Sequence, residues 1–246
     1  MRADLLRHYD AALDDARRRG VTAQVRQLET ILQDSIATIN VDAKLLSNMA
    51  KSQNYMSYYN AIALGLRRIA ERKYHAHRSA VDAEIHTGYA SEIVNAALSP
   101  DAHGLTNYGE ITLVLQTEAI EDRASLMREN AFDFFERYQL GGRDAEEEPG
   151  WRSTWADRSQ LGVAHLCPSI TPATAGNDLV NHVLFCGSDR PEDRYIEIHI
   201  YGEISWQSLS KVVLEKPLTT SEDQEDWRFG RQKLGRRVPI EDHVNP

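Results

Sequence analysis

Proline is absent from the first 99 residues of this chain, and all eight prolines fall from Pro100 onward. Three glycines (Gly20, Gly65 and Gly88) interrupt the same stretch, and the other eleven of the fourteen come later. Proline removes a backbone donor and clashes inside a helix, and glycine weakens one. The first part is therefore expected to be helical and the second mixed. Charge divides at the same place. Residues 1–100 carry 13 basic and 11 acidic side chains, and residues 101–246 carry 15 and 26, so the net charge of −9 is concentrated in the second part.

Periodicity gives the first part detail. Leu5, Leu6, Tyr9, Ala12, Leu13 and Ala16 recur at helical spacing, with Arg17, Arg18 and Arg19 in the last turn and Gly20 as a stop. Thr22 is the expected N-cap of a second helix with Val25, Leu28, Leu32, Ile36, Ile39, Leu46 and Met49 on one side. A third stripe runs Tyr55, Tyr58, Tyr59, Ile62, Leu66, Ile69. Three such helices predict an antiparallel bundle or a long hairpin, available as scaffold, self-association surface or partner-binding surface.

Later the period changes. Glu110–Gln116, Arg123–Met127 and Val212–Leu214 read as strands, Asn130–Tyr138 and residues 154–166 as helices, and Asp178–Cys186 as either. Arg194–Tyr201 alternates strictly, placing Tyr195, Glu197, His199 and Tyr201 on one face and Ile196, Ile198 and Ile200 on the other, with Gly202 closing the strand. The acidic run within 144–148 reads as a solvated loop. The expected fold is α+β: N-terminal amphipathic helices, then a mixed, mainly antiparallel sheet with short helices. The expected divisions are a helical region 1–73, an α+β domain 74–216 and a polar tail 217–246.

No apolar run approaches the ~20 residues of a membrane span. The start, Met1 to Leu5, lacks the apolar core of a signal peptide, so a cytoplasmic protein is expected. Two cysteines are too few for a disulfide scaffold, and the acidic balance disfavours simple phosphate binding. Phosphate loops, dinucleotide fingerprints and nucleophile elbows are absent.

Two groups could carry chemistry. The Tyr195, Glu197, His199, Tyr201 face either is solvated or lines a cleft. The run Tyr74-His75-Ala76-His77-Arg78-Ser79 offers Arg78 and Ser79 as an anion-binding pair. His75 and His77, two apart, share a face only on a strand, so no metal site is expected there.

Asn107-Tyr108-Gly109-Glu110 with the Ile111–Leu115 strand, then Arg123-Ala124-Ser125, then Tyr195-Ile196-Glu197-Ile198-His199-Ile200-Tyr201-Gly202 resemble, in that order, a group of bacterial proteins associated with ADP-ribosyltransferase-like toxin and effector domains. The resemblance covers residues 74–215. It implies a split sheet that binds NAD as substrate in a cleft. His75 or Arg78 would hold the NAD phosphates or ribose, Ser125 would be the middle-strand residue, and Glu197 the catalytic carboxylate. Tyr195 and Tyr201 would stack on nicotinamide, and His199 would orient or deprotonate the acceptor, a protein or nucleic acid. Such a protein could be delivered into a target cell. The chain departs from the usual paired E-x-E or Q-x-E, having Glu197-x-His199. Two other functions fit the residues: an immunity or adaptor module whose acidic part meets a basic partner, and a nuclease or phosphoesterase using His75, His77, His199 and carboxylates.

Overall fold

The computed structural model describes residues 2–69, 72–140 and 150–244; the acidic run within 144–148 lies outside them. Helix α1 (Arg2–Arg19) ends at Gly20, whose φ of +71° reverses the chain. Helix α2 spans Thr22–Asp34, with Val21 rather than Thr22 at the cap position. It stops well short of the expected Met49. Strand β1 (Ile36–Val41) follows, then helix α3 (Ala43–Ser52), whose cap Asp42 accepts from Leu45 N at 2.7 Å. The spacing of Ile36 and Ile39 suits a helix, but the run Ile36-Ala37-Thr38-Ile39-Asn40-Val41 is β-branched and alternates, and sheet pairing wins. The third expected helix is also cut down, to strand β2 (Asn54–Tyr55) and helix α4 (Tyr58–Ala63). Among the described residues no antiparallel bundle of these three helices forms.

Helix α5 (Arg72–Ile85) and strand β3 (Ile93–Ser99) come next. Strand β4 (Ile111–Leu115), strand β5 (Ala124–Met127) and helix α6 (Ala131–Arg137) lie where the sequence places them. Strand β6 (Arg152–Thr154) leads to helix α7 (Arg158–Leu166). The ambiguous segment resolves into helix α8 (Gly176–Val183) and strand β7 (Leu184–Phe185). Strands β8 (Arg194–Tyr195), β9 (Glu197–Tyr201), β10 (Ile204–Ser205) and β11 (Leu209–Leu214) precede an ordered C-terminal part, helix α9 (Ser221–Leu234) and strand β12 (Ile240–Asp242).

Among the described residues, one sheet runs β12-β11-β4-β1-β3-β9-β5-β6, antiparallel except for the β11–β12 pair, so the fold is α+β with a mixed, mainly antiparallel sheet. Strand β1, from the stretch expected to be helical, sits inside it between β3 and β4. One face is aliphatic: Ile39, Leu98, Leu113, Leu126, Ile198 and Ile200 are buried with Leu5, Val25, Leu28 and Leu32 of α1 and α2 in one core. Leu5, Ala12 and Ala16 of α1 and Val25, Leu28 and Leu32 of α2 are thus buried within the chain, while Leu6 of the first stripe is exposed. Burying a side chain such as Leu28 contributes about 1.5–3 kcal/mol. Among the described residues no helix is long and apolar enough to cross a membrane.

The opposite face carries Thr38, Asn40, Asn95, Thr112, Ser125, Glu197 and His199. Register fixes this grouping, since Asn40 pairs with Thr112, and His199 pairs with both Asn95 and Ser125. Helices α5 and α6 cover one end of this face through a second, smaller cluster that includes Val81, Ile85, Met127 and Phe134. What they leave uncovered is a cleft.

Candidate active site

The cleft has a volume of about 930 Å³. Glu197 and Asn95 line it from the sheet, Arg78 from α5, and Asn130 and Phe132 from α6 and its cap. The side chain of Glu197 is buried, yet it reaches the cleft wall. Its Oε1 accepts from Asn95 Nδ2 at 2.8 Å and stands 3.7 Å from His199 Nε2; its Oε2 accepts from Ala131 N at 2.6 Å. Ala131 opens α6, so the carboxylate also meets the positive end of that short helix. Burial alone would push its pKa up. His199, the Ala131 N–H and the Arg78 guanidinium outweigh burial and hold it below the ordinary glutamate value. Glu197 is therefore an ionised carboxylate fixed on both oxygens at neutral pH.

The same cap positions a second cleft residue. Asn130 Oδ1 accepts from Phe132 N at 2.7 Å, and its Nδ2 donates to the Tyr195 hydroxyl at 2.6 Å. Burial, with Glu197 nearby, raises the Tyr195 pKa well above its ordinary value, so the phenol stays neutral. Burial likewise raises that of Tyr108, its neighbour in the cleft, to about 12.

Four arginines line the cleft: Arg67, Arg68, Arg78 and Arg190. The lining also holds four carboxylates, Asp42, Asp133, Glu136 and Glu197, so the cleft is balanced in charge where the whole chain carries −9. The Tyr58 ring lies against two of them, 5.0 Å from the Arg67 guanidinium and 4.8 Å from that of Arg78. Arg78 Nε is 3.2 Å from Asp82 Oδ2, which also accepts from the Tyr59 hydroxyl at 2.8 Å. Arg190 stacks 4.8 Å from the Tyr108 ring. Such planar, pre-oriented guanidinium groups suit phosphate oxygens. Gly104 braces the floor from behind. Its φ is +67°, and a Cβ there would fall 2.3 Å from Asn40 Oδ1, the oxygen that accepts from Leu105 N at 2.7 Å.

The structure brings together some of the sequence-derived candidates and separates others. Glu197, Tyr195 and Arg78 line the cleft. His75 stands one residue back, its Nδ1 3.0 Å from the Tyr58 hydroxyl. Ser79 lies against the Tyr59 hydroxyl. His199 is buried behind Glu197, its ring 4.2 Å from that of His86. Ser125 pairs with His199 on β5, outside the cleft lining. Tyr201 is half exposed and packs edge-on against Tyr89. His77 also lines the cleft, beside Phe132 and Glu136, while His75 meets Tyr58 and His199 meets His86, so the three histidines have different surroundings. Sequence reasoning missed Asn95, Asn130, Arg67, Arg68 and Arg190. For Asn95 a signal existed: one amide inside the otherwise small and apolar run Ile93–Ser99.

No family model matches this chain, and a comparison with curated proteins finds no match. Among solved structures it is similar to "Thermus sp. 2.9 DarT in complex with NAD+", at 10% identity and a TM-score of 0.44, over 85% of this chain and 96% of that one.

Proposed function

We propose that this chain is an NAD-consuming enzyme of the ADP-ribosyltransferase type, acting in the cleft with Glu197 as its catalytic carboxylate. The observation that carries the reading is the placement of Glu197: buried, ionised, held on both oxygens, and opening onto a cleft rich in arginine and tyrosine. The cleft volume lies at the upper end of the ~300–1,000 Å³ usual for small-molecule and cofactor sites. Four guanidinium groups match the two phosphates of NAD, and Tyr58, Tyr108, Tyr195 and Phe132 offer surfaces for its two flat ring systems.

In the reaction the bond between the ribose C1 and the nicotinamide nitrogen breaks, and its electron pair leaves with neutral nicotinamide. Positive charge develops on the sugar. A carboxylate already fixed in a low-dielectric site stabilises that charge without having to reorganise. A nucleophilic acceptor, or water, then forms the new bond to C1 and loses its proton. Asn95, the Ala131 N–H and His199 act through Glu197 by holding it in place. The resemblance in residue order around Tyr108, Ser125 and Glu197 points the same way.

The test is nicotinamide release from NAD by the pure chain and by Glu197→Gln, with NAD binding measured on both by calorimetry. Release by the parent alone, with binding retained by both, is the expected result. Absence of both binding and release in the parent would overturn the reading.

A further inference from the structure

Away from the cleft, three side chains from distant parts of the sequence meet at the sheet edge: His103 from the loop after β3, Glu215 from the residue following β11, and His243 just past β12. One ligand atom from each lies within 4.8 Å of the others. We propose that they form a binding site for one divalent transition-metal ion of the zinc class.

Three features support this. The first is the geometry. His103 Nδ1 and His243 Nδ1 point at the same carboxylate oxygen, Glu215 Oε2, at 3.0 and 3.2 Å. Ligands ~2.0–2.1 Å from a tetrahedral ion lie about 3.3 Å from one another, so small adjustments seat an ion among the three. The second is an orphaned group. The Glu215 side chain is only 7% exposed, and its Oε1 has no hydrogen-bond partner among the described residues. A buried carboxylate needs a compensating charge or a full set of donors. A divalent ion between two imidazoles supplies that charge. The third is the support behind the ligand. His243 Nε2, the nitrogen turned away from Glu215, stands 3.5 Å from Glu241 Oε2, and Lys211 Nζ donates to that carboxylate at 2.9 Å. A carboxylate on the far ring nitrogen is the usual way a metal-binding histidine is oriented.

Two imidazoles and one carboxylate suit zinc, with cobalt and nickel as substitutes. The histidine side chains are 49% and 41% exposed, which leaves the fourth position to water. The ion would tie the end of β11, the C-terminal strand and the loop that feeds Leu105 N to Asn40. None of the three ligands lines the cleft, and the site stands whether or not the cleft consumes NAD.

The test uses the full chain, stripped with a chelator and titrated with Zn²⁺ by calorimetry and with Co²⁺ by absorption. One ion per chain is expected, with an intense visible Co²⁺ band of tetrahedral type. The melting temperature should rise by about 5–10 °C at a hundredfold excess of Zn²⁺ over its Kd. The double variant His103→Gln/His243→Gln should lose more than about 100-fold in affinity, beyond what removal of a supporting partner alone costs. Should the double variant fail to fold, the single variant His243→Gln, altered at a partly exposed side chain, is read in its place. No saturable binding by the parent, a weak octahedral-type Co²⁺ band, or equal binding by the folded variant would each overturn the site.

Discussion

The two faces of the one sheet are built from the same strands and do opposite work. On β9, Ile198 and Ile200 point into the aliphatic core shared with α1 and α2, while Glu197 and His199 point the other way. Both sets are buried, so burial does not separate them. What separates them is the cost of being buried. An isoleucine gains by leaving water, whereas a carboxylate loses unless donors are aimed at it. The second face meets that cost with Asn95, the Ala131 N–H at the α6 N-terminus and His199, and what results is a fixed charge at a cleft wall. One face therefore stores stability, and the other holds chemistry at stability's expense.

The sharpest way to break this contrast is a crossed pair of substitutions on adjacent residues. Glu197→Gln should lower nicotinamide release by at least about 10²–10³-fold, the loss seen when one preorganised charge-stabilising group is removed. Its stability should fall by no more than the ~1–3 kcal/mol of one mismatched buried hydrogen bond. Ile198→Ala should do the reverse: a loss of about 2–5 kcal/mol in urea denaturation, with release per folded molecule unchanged. If the two variants behaved alike, the division of labour between the faces would fail.

Acid should act on the polar face. Burial, helped by His199, Arg152 and Arg78, lowers the pKa of His86 on that face from 6.5 to about 2; on α7, which packs with α1 and α2 on the other side of the sheet, burial lowers that of His165 to about 4. A depressed folded-state value means the native protein refuses a proton that the unfolded chain accepts. The stabilisation is whole above pH 6.5 and drains away as pH falls below it. The slope is at most ~1.4 kcal/mol per pH unit for each histidine. Denaturant midpoints measured from pH 7.5 to 5 should show the decline, and His86→Asn should flatten it. A decline just as steep in that variant would remove His86 from the account.

Much of this was legible in the sequence, for identifiable reasons. Strand β9 announced itself because alternation of isoleucine with polar residues has a period no helix shares. Helix α6 did so through its run of phenylalanines. Strand β1 was hidden, since Ile36 and Ile39 fit a 3.6-residue period as well as a strand, and only the neighbouring strands decide. The covering of His199 was hidden too. Periodicity places it beside Glu197 but says nothing of α5 and α6 folding over it. The arginines of the cleft come from separate loops and helices, and no local pattern marks Arg67 or Arg190 as convergent.

Within the cleft, Arg78→Lys sharpens the comparison further. Lysine keeps the charge but loses the planar fork over Tyr58 and beside Asp82. NAD affinity should fall about tenfold, ~1.4 kcal/mol, with a smaller change in the turnover of bound NAD. A fall in turnover with affinity intact would instead assign Arg78 to holding Glu197.

The smallest effect belongs to Tyr201, which tests how far the working face extends. Alternation puts it on the same side as Glu197, and the resemblance would have it stack on nicotinamide. Four residues at ~3.3 Å each carry it about 13 Å along the strand, however. There it is 50% exposed, with its ring centre 6.1 Å from that of Tyr89. Sharing a strand face is not sharing a site, because His86, just past α5, packs on His199 between the two positions. Tyr201→Ser should therefore change neither nicotinamide release nor stability by more than about 0.5 kcal/mol, the range of an ordinary surface substitution. A clear loss of NAD binding in that variant would mean that the cleft opens along the whole of β9, and that His86 moves off His199.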